Sequence, residues 1–502
     1  MTRSNNNPLL GPLGEFRELP DWPSLLEHNP LEDFPERPSA AERHDFLVDI
    51  NNRFAVTKVS IRLASDIQSL IRAGYRQRDP THPENRRKLY KIADLEGTFD
   101  AAAPVFYSDS HCLVLSAITG MGKSLTVNRI LSTFKQVAVH GINEDAGWLK
   151  HTQIVHLTVK MSDTGSRGSF IDGVLYAMDD LLGTDYFNAN RRHRNVGSRS
   201  LKVAQLLALH SVGLLIIEEM QAENFLDSRF RKELNVFFLS VLSFGVPLLL
   251  VGNPRAFERL SEHKQTERRY YSYEPITLWP YESYSDPDWT NAIAPALWRY
   301  QVVDNAEEYS EEVAKVLWEC SGGIPGYAKQ LIVEVQRSVF RREIPALTVA
   351  ALEHHFKKLE SFKRFMPLIV GLTNKDPDLL SEGLDIPVEQ FRQRWHSMST
   401  EDSPQSAIDD RPGPIDAGEW SDFAKKTKQR VRSKATRKKN KRQRAKEMQS
   451  NLDDEDIRRR ENLRSSLSET LEELRAKSEK SSHKSQSEPA EGQSRARNRK
   501  KE

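Results

Sequence analysis

Two short stretches carry side chains able to do chemistry together. In SAITGMGKSLT, Ser116 to Thr126, two glycines, a lysine and a serine follow the apolar run CLVLSAI and precede the helical pattern SLTVNRILSTF. A turn between a strand and a helix directs backbone N–H groups and a helix N-terminus at one point, which suits phosphate oxygens. Gly120, Met121, Gly122, Lys123, Ser124 and Leu125 fit the phosphate-binding loop G-x-x-x-x-G-K-[ST], except that Ala117 stands at the first glycine. Lys123 is placed to reach the β and γ phosphates of a nucleotide, and Ser124 to ligand Mg²⁺. Alanine at 117 is compatible with this if its φ is negative, because only a positive φ demands glycine.

The second stretch, GLLIIEEM, Gly213 to Met220, is an apolar run that ends in two carboxylates. Glu218 is expected to orient the Mg²⁺ shell and Glu219 to polarise an attacking water. Aspartate is the usual first acid, so the extra methylene of Glu218 implies a shifted or water-bridged metal shell and slow hydrolysis. A third run, VPLLLVGNPRAF, delivers Asn253 at its end. Open α/β sheets present ligand-facing groups at that point, and the Asn253 amide could hold the hydrolytic water; a plain Asn-Pro turn is the alternative.

These residues need a frame. Between about Asp94 and Trp279 the runs CLVLSAI, QIVHLTV, GLLIIEE and VPLLLVG alternate with helical patterns, which predicts an α/β fold with a parallel sheet covered on both faces. Before it, KVSIRLASDIQSLIRA places Val59, Leu63, Ile67 and Leu70 on one helical stripe that Gly74 is expected to end. After it, APALWRYQVV, EEVAKVLWEC and GYAKQLIVEVQRSVF predict a small helical domain. The resulting division is an N-terminal arm over 1–57, able to lie on a partner or on its own core, an α/β core over 58–285 and a helical lid over 286–370. A segment and linker over 371–424 and a basic tail over 425–502 follow.

The formal net charge of +2 hides a strong asymmetry. From Lys425 to Lys446, thirteen of 22 residues are Lys or Arg and none is acidic. This run, which includes Lys438 and Lys439, and the Ser/Glu/Lys/Arg-rich end after it cannot bury enough apolar surface to form a compact domain, so disorder is expected. Two cysteines far apart, Cys112 and Cys320, exclude a disulfide framework and any metal-ligand spacing. The first residues lack the apolar stretch of a secretory signal, and no run approaches the ~20 residues of a bilayer span, so a cytoplasmic protein without membrane contact is expected.

The order of phosphate loop, EE strand, polar strand tip and helical lid resembles the AAA+ P-loop ATPases. The finer match is to the TnsC/TniB group of transposition regulators, in particular its longer TnsC-type members. It is carried by SLIRAGYRQRDP, AITGMGKSLTVNRILSTF, LLIIEEMQ, VPLLLVGNPRA, ERRYYSYEPI and DWTNAIAPALWRYQVV, spread over Ile67 to about Phe340. The resemblance implies ATP and Mg²⁺ as cofactors and a site at a subunit boundary, completed by an arginine of the neighbouring copy at the place of Arg268 or Arg269. It also implies that Tyr75, in GYRQRDP, flanks the adenine; a helix-ending aromatic packed on the core is the alternative. In GGIPGYAKQL, Gly326 and Tyr327 occupy the neighbourhood where many relatives carry a lid arginine.

As partners the resemblance implies double-stranded DNA, further copies of the chain in a ring or helical filament, a transposase and a target-site selection protein, within the bacterial nucleoid. The residues themselves offer three surfaces for phosphate. TVKMSDTGSRGSF holds Lys160, Thr164, Ser166 and Arg167; NANRRHRNVGSRS holds Arg191, Arg192, Arg194 and Arg199; the third is the 425–446 run. The last lacks aromatics to stack on bases, so it is expected to bind phosphate without sequence preference and to weaken with salt, unless it grips an acidic partner or only aids solubility. A nucleotide-locked scaffold with negligible turnover, and another DNA-associated AAA+ protein such as a helicase loader or initiator, stay open as alternatives.

Overall fold

The apolar runs form strands whose hydrophobic side chains are buried. In the computed structural model, which describes residues 6–97, 106–107, 110–192, 195–258, 260, 268–382 and 386–401, the seven strands are β1 (Cys112–Ala117), β2 (Val137–His140), β3 (His151–Ile154), β4 (His156–Lys160), β5 (Leu214–Met220), β6 (Leu248–Gly252) and β7 (Ile276–Leu278). Five of them build a parallel sheet in the order β4-β5-β6-β1-β7. This is the AAA+ P-loop fold. Parallel pairing puts all the strand C-termini on one edge, so Ala117, Lys160, Glu218 and Gly252 end side by side.

Alternate residues of each strand feed opposite faces, as strand geometry requires. Val114, Leu215, Ile217 and Leu250 join one core cluster with helices Arg167–Leu182, Val196–Leu209 and Arg231–Ser243. Leu113, Leu115, Ile216 and Val251 join the other with helices Lys58–Gln77 and Lys123–Leu131. The run QIVHLTV divides: its first two residues belong to β3, which pairs antiparallel with β2 outside the main sheet, Val155 makes the break, and the last four belong to β4.

The helix carrying Leu63, Ile67 and Leu70 runs through Gly74 to Gln77. Gly74 is there for close approach rather than termination, since a Cβ at that point would lie 2.6 Å from Cγ of Pro247. The described part of the arm packs on the chain itself. Asn7 Nδ2 donates to the Tyr75 carbonyl at 2.8 Å, and Arg17 Nη1 to Thr133 Oγ1 at 2.7 Å. Helix Ala40–Asp49, started by a Ser39/Glu42 capping box, lies on the lid, where Tyr300 donates its hydroxyl to the Phe46 carbonyl at 2.7 Å. The arm therefore bridges core and lid.

Helices Glu311–Ser321, Pro325–Phe340, Val349–Lys358 and Glu360–Thr373 form the lid around Trp289, Trp298 and Leu317. Within the segment over 371–424 the described residues include the short turn Leu379–Glu382 and helix Val388–Glu401. Phe391 of that helix meets Trp279 edge-on at 5.0 Å and shares a cluster with Ile118 and Met121 of the phosphate loop. Cys112 and Cys320 are free and buried. Among the described residues no helix is long and apolar enough to cross a membrane.

Candidate active site

The sheet edge where the strands end is where the chemistry-bearing side chains meet. Gly120 and Gly122 hold φ of +92° and +83°, so both positions need glycine, while Ala117 is absent from the residues with positive φ. The missing first glycine thus costs the loop nothing in backbone conformation. Gly122 caps helix Lys123–Leu131, whose N-terminus faces the loop. Lys123 Nζ donates to the carbonyls of Ala117 at 2.7 Å and Ile118 at 3.3 Å, and to Oδ1 of Asn253 at 3.2 Å. Asn253 is buried, and its backbone N–H donates to the Met220 carbonyl at 2.8 Å, which ties the tips of β5 and β6 together.

The two glutamates point into different surroundings. Glu218 is 5% exposed and Glu219 is exposed. Between them the strand breaks register, and Glu219 takes φ of +58°. A left-handed glutamate costs about 1–3 kcal/mol, a strain kept where the surroundings enforce it. Here Asn224 enforces it: its Nδ2 donates to the Glu219 carbonyl at 2.8 Å, and its Oδ1 accepts from the Gln221 N–H at 2.9 Å. The result aims Glu219 into a cleft of about 330 Å³ shared with Lys123, Ser124 and Asn253.

Burial pushes the Glu218 carboxyl above its ordinary pKa; a hydrogen bond from Ser124 opposes this, Glu219 adds to it, and Lys160 opposes it. Oε1 of Glu218 is buried without a hydrogen-bond partner. An unsatisfied carboxylate oxygen next to a serine hydroxyl is a hard oxygen pair that fits Mg²⁺, which keeps several waters and takes only one or two protein ligands. Ser124 and Glu218 would hold it. A carboxyl whose folded pKa is raised contributes stability that is present below the unfolded value and lost as pH rises through the folded one. Metal-free protein is therefore expected to lose melting temperature across that window, and Mg²⁺ to restore more of it at the upper end. Glu218→Gln should flatten both trends in a melting series over pH with and without Mg²⁺.

The lid and the arm close the cleft with residues that sequence reasoning missed. Gly326 donates its N–H to the Gly120 carbonyl at 2.9 Å, so the lid rests on the phosphate loop. One turn further along the same helix, Lys329 faces the cleft and donates Nζ to Oδ1 of Asn51 at 2.8 Å; burial lowers its pKa. Gly326 and Tyr327 bring no cation, but Lys329 does. A second, mostly apolar cavity of about 340 Å³ continues from the loop, walled by Phe54, Met121, Leu125, Leu278, Trp279 and Leu297 among others. Its size and apolar walls suit a nucleoside base.

Tyr75 is not in that cavity. It is fully buried beneath the sheet, its hydroxyl donating to the Ile154 carbonyl at 3.3 Å, because the helix continues past Gly74 and carries Tyr75 into the core. The aromatic side chains that do line the cavity include Phe54 and Trp279. The arginine pair also divides. Arg269 Nη1 reaches the Leu239 carbonyl at 3.4 Å and Ser243 Oγ at 3.1 Å, at the C-terminal end of helix Arg231–Ser243 in its own chain, whereas Arg268 is exposed.

The expected phosphate-contact loop is only partly available. Lys160 and Thr164 are exposed, but Ser166 caps helix Arg167–Leu182 by accepting from the Ser169 N–H at 3.1 Å. Arg167 is largely buried, with Nε 3.4 Å from the Glu233 carboxylate, so it is spent inside the fold. Arg199 is likewise paired with Asp172, while Arg191 and Arg192 are exposed. Arg194, Lys438, Lys439 and the whole 425–446 run lie outside the described residues.

Fold and cleft together define a P-loop module of the AAA+ class. More particularly, residues 107–260, which hold the phosphate loop, both glutamates and Asn253, match the model of the AAA domain family. Comparison with curated proteins finds no match. Among solved structures the chain is similar to the Orc1 protein of Aeropyrum pernix in complex with DNA, at 13% identity, covering 67% of this chain and 83% of that one with a TM-score of 0.36. It is similar to domain III of the replication initiation protein DnaA from Thermotoga maritima, at 14% identity, 56% and 93% coverage and a TM-score of 0.31. A third is Drosophila ORC bound to DNA, at 10% identity, 66% and 84% coverage and a TM-score of 0.30. Scores this low leave the functional reading to the residues themselves.

Proposed function

We propose that this chain is an Mg²⁺-dependent ATPase that assembles with further copies of itself on double-stranded DNA. In that assembly it connects a target-site selection protein to a transposase in the bacterial cytoplasm, and hydrolysis resets it. The observation that carries the ATPase part is the convergence of Lys123, Ser124, Glu219 and Asn253 on one cleft beside a base-sized apolar cavity. Lys123 and the loop N–H groups bind phosphate, Glu219 accepts the proton of the attacking water, and Asn253 orients that water. Bound Mg²⁺ neutralises phosphate charge. The transposition part rests on the order of motifs from Ile67 to Phe340, and DNA contact rests on exposed Lys160, Thr164, Arg191 and Arg192.

An exposed Arg268 beside an internally committed Arg269 makes Arg268 the one able to reach a neighbour's γ phosphate. Arg268→Ala is expected to leave the melting temperature unchanged and to abolish the rise of turnover per chain with protein concentration. Arg269→Ala should instead destabilise the fold by about 1–2 kcal/mol, through loss of a cation and its hydrogen bonds at a helix C-terminus. Melting curves and phosphate release across protein concentrations separate the two.

The whole reading is tested by imaging the protein with duplex DNA and a slowly hydrolysed ATP analogue, and by steady-state phosphate release with DNA. Rings or filaments that need nucleotide, and release above a Lys123→Ala control, are expected. Assembly without release above that control would make the chain a nucleotide-locked scaffold. A monomer bound at one DNA site would point to a loader or initiator.

A further inference from the structure

A cavity of about 220 Å³ lies at the opposite end of the sheet from the phosphate cleft, where the chain enters β1, β5 and β6. Helix Pro83–Ala93, the end of helix Val196–Leu209 and the β2–β3 connection around Trp148 surround it. Arg78 is part of its wall and is 8% exposed. Its Nη2 donates to the Val212 carbonyl at 2.8 Å and its Nε to the Gly74 carbonyl at 3.2 Å, leaving Nη1 buried with no acceptor. Nε1 of Trp148, in the same wall, is also buried with no acceptor.

Buried guanidinium groups are normally matched by an anion, since an uncompensated buried charge is among the most costly features a fold can hold. Among the described residues that line this cavity there is no Asp or Glu. The second cation there, Arg86, directs Nη1 to the backbone carbonyls of Pro80, at 3.3 Å, and Asp145. The Tyr75 ring, 5.4 Å from the Arg78 guanidinium, offers a π face but no negative charge. The rest of the wall is mostly apolar, with Leu89, Ile92, Leu209 and Phe244, and carries the neutral polar side chains of Asn85, Tyr90, Tyr107 and Ser211 and the imidazole of His151. Its volume is below the ~300–1,000 Å³ of pockets for drug-sized ligands, so a nucleotide does not fit.

We propose that this cavity binds a small organic monocarboxylate, with the carboxylate on Arg78 and Trp148 Nε1 and the apolar body against Leu89, Ile92, Leu209 and Phe244. The unsatisfied Nη1 of Arg78 matches one negative charge, and the apolar side chains that make up most of the wall disfavour the heavily hydrated inorganic anions. The site is separate from the ATP cleft and does not depend on the ATPase reading.

The test is equilibrium dialysis of the full chain against radiolabelled benzoate. One benzoate per chain is expected, with a dissociation constant of about 1 mM or tighter, undisturbed by an ATP analogue and not displaced by benzamide or inorganic phosphate. Leu89→Trp, which fills the cavity without touching Arg78, should abolish binding while leaving the melting curve cooperative, and Trp148→Phe should weaken it several-fold. Arg78→Met should also lose it, and the first two variants decide the matter if that chain does not fold. Absence of saturable binding, equal competition by benzamide or phosphate, or full binding by Leu89→Trp would each overturn the proposal.

Discussion

Glu219→Gln is expected to bind ATP as tightly as the parent chain and to release phosphate about 10²–10⁴-fold more slowly, the range associated with loss of a positioned general base. The substitution keeps the shape and removes only the ability to accept a proton. The phosphate cradle is made by Gly120, Gly122 and the helix after it, and the substitution keeps the side-chain size, so binding has no reason to change. The same site makes a second expectation possible. Its φ of +58° is a conformation in which glycine is at ease. Glu219→Gly should lose hydrolysis equally and yet melt no lower than the parent, because relief of about 1–3 kcal/mol of strain offsets the greater freedom of glycine in the unfolded chain. A large drop in melting temperature would mean that Asn224 does not hold the turn against its preference.

How far the sequence reveals this molecule depends on whether a residue's role is local. The phosphate loop is legible because its function lies in consecutive residues: two glycines with positive φ, a lysine and a serine at a strand-to-helix turn. Glu218, Glu219 and Asn253 are legible because they end apolar runs, and parallel pairing of β4, β5, β6 and β1 makes those ends neighbours. The strain at Glu219 has no signature, since a glutamate in a left-handed turn looks like any other glutamate. Nor has the difference between Arg268 and Arg269, which depends on Ser243 and Leu239 some 26 and 30 positions away.

The base cavity and the lid contacts escape for a similar reason. Phe54 and Asn51 come from the arm, Trp279 follows β7, and Lys329 sits one turn into a lid helix. No spacing links them until the arm has crossed from core to lid. The helix end is hidden too, because a glycine in a helical pattern reads as a stop, whereas Gly74 gives Pro247 room and the helix continues, with Tyr75 in the core. The division of QIVHLTV into β3 and β4 is equally hidden. Its hydrophobicity is unbroken, and only the antiparallel pairing of Gln153 with Ala138 shows that the chain changes sheets.

Lys123→Ala is expected to weaken ATP binding by about 2–5 kcal/mol, or ~30-fold to several-thousandfold, the cost of removing one member of a hydrogen-bonded charge pair. Its ammonium donates to the carbonyls of Ala117 and Ile118 and to the amide oxygen of Asn253, which hold it at the mouth of the loop. Among the described residues that line the cleft the other cation is Lys329, which approaches from the lid and is engaged with Asn51, so Lys329→Ala should lose less. Titration with a fluorescent ATP analogue gives both values. Loss of Lys123 also frees Asn253 from its partner, so the variant should pair weak binding with a slightly lower melting temperature. If Lys329→Ala proved the more damaging of the two, the phosphates would lie against the lid rather than in the loop, and Glu219 and Asn253 would be too far from the reacting atoms to act on them.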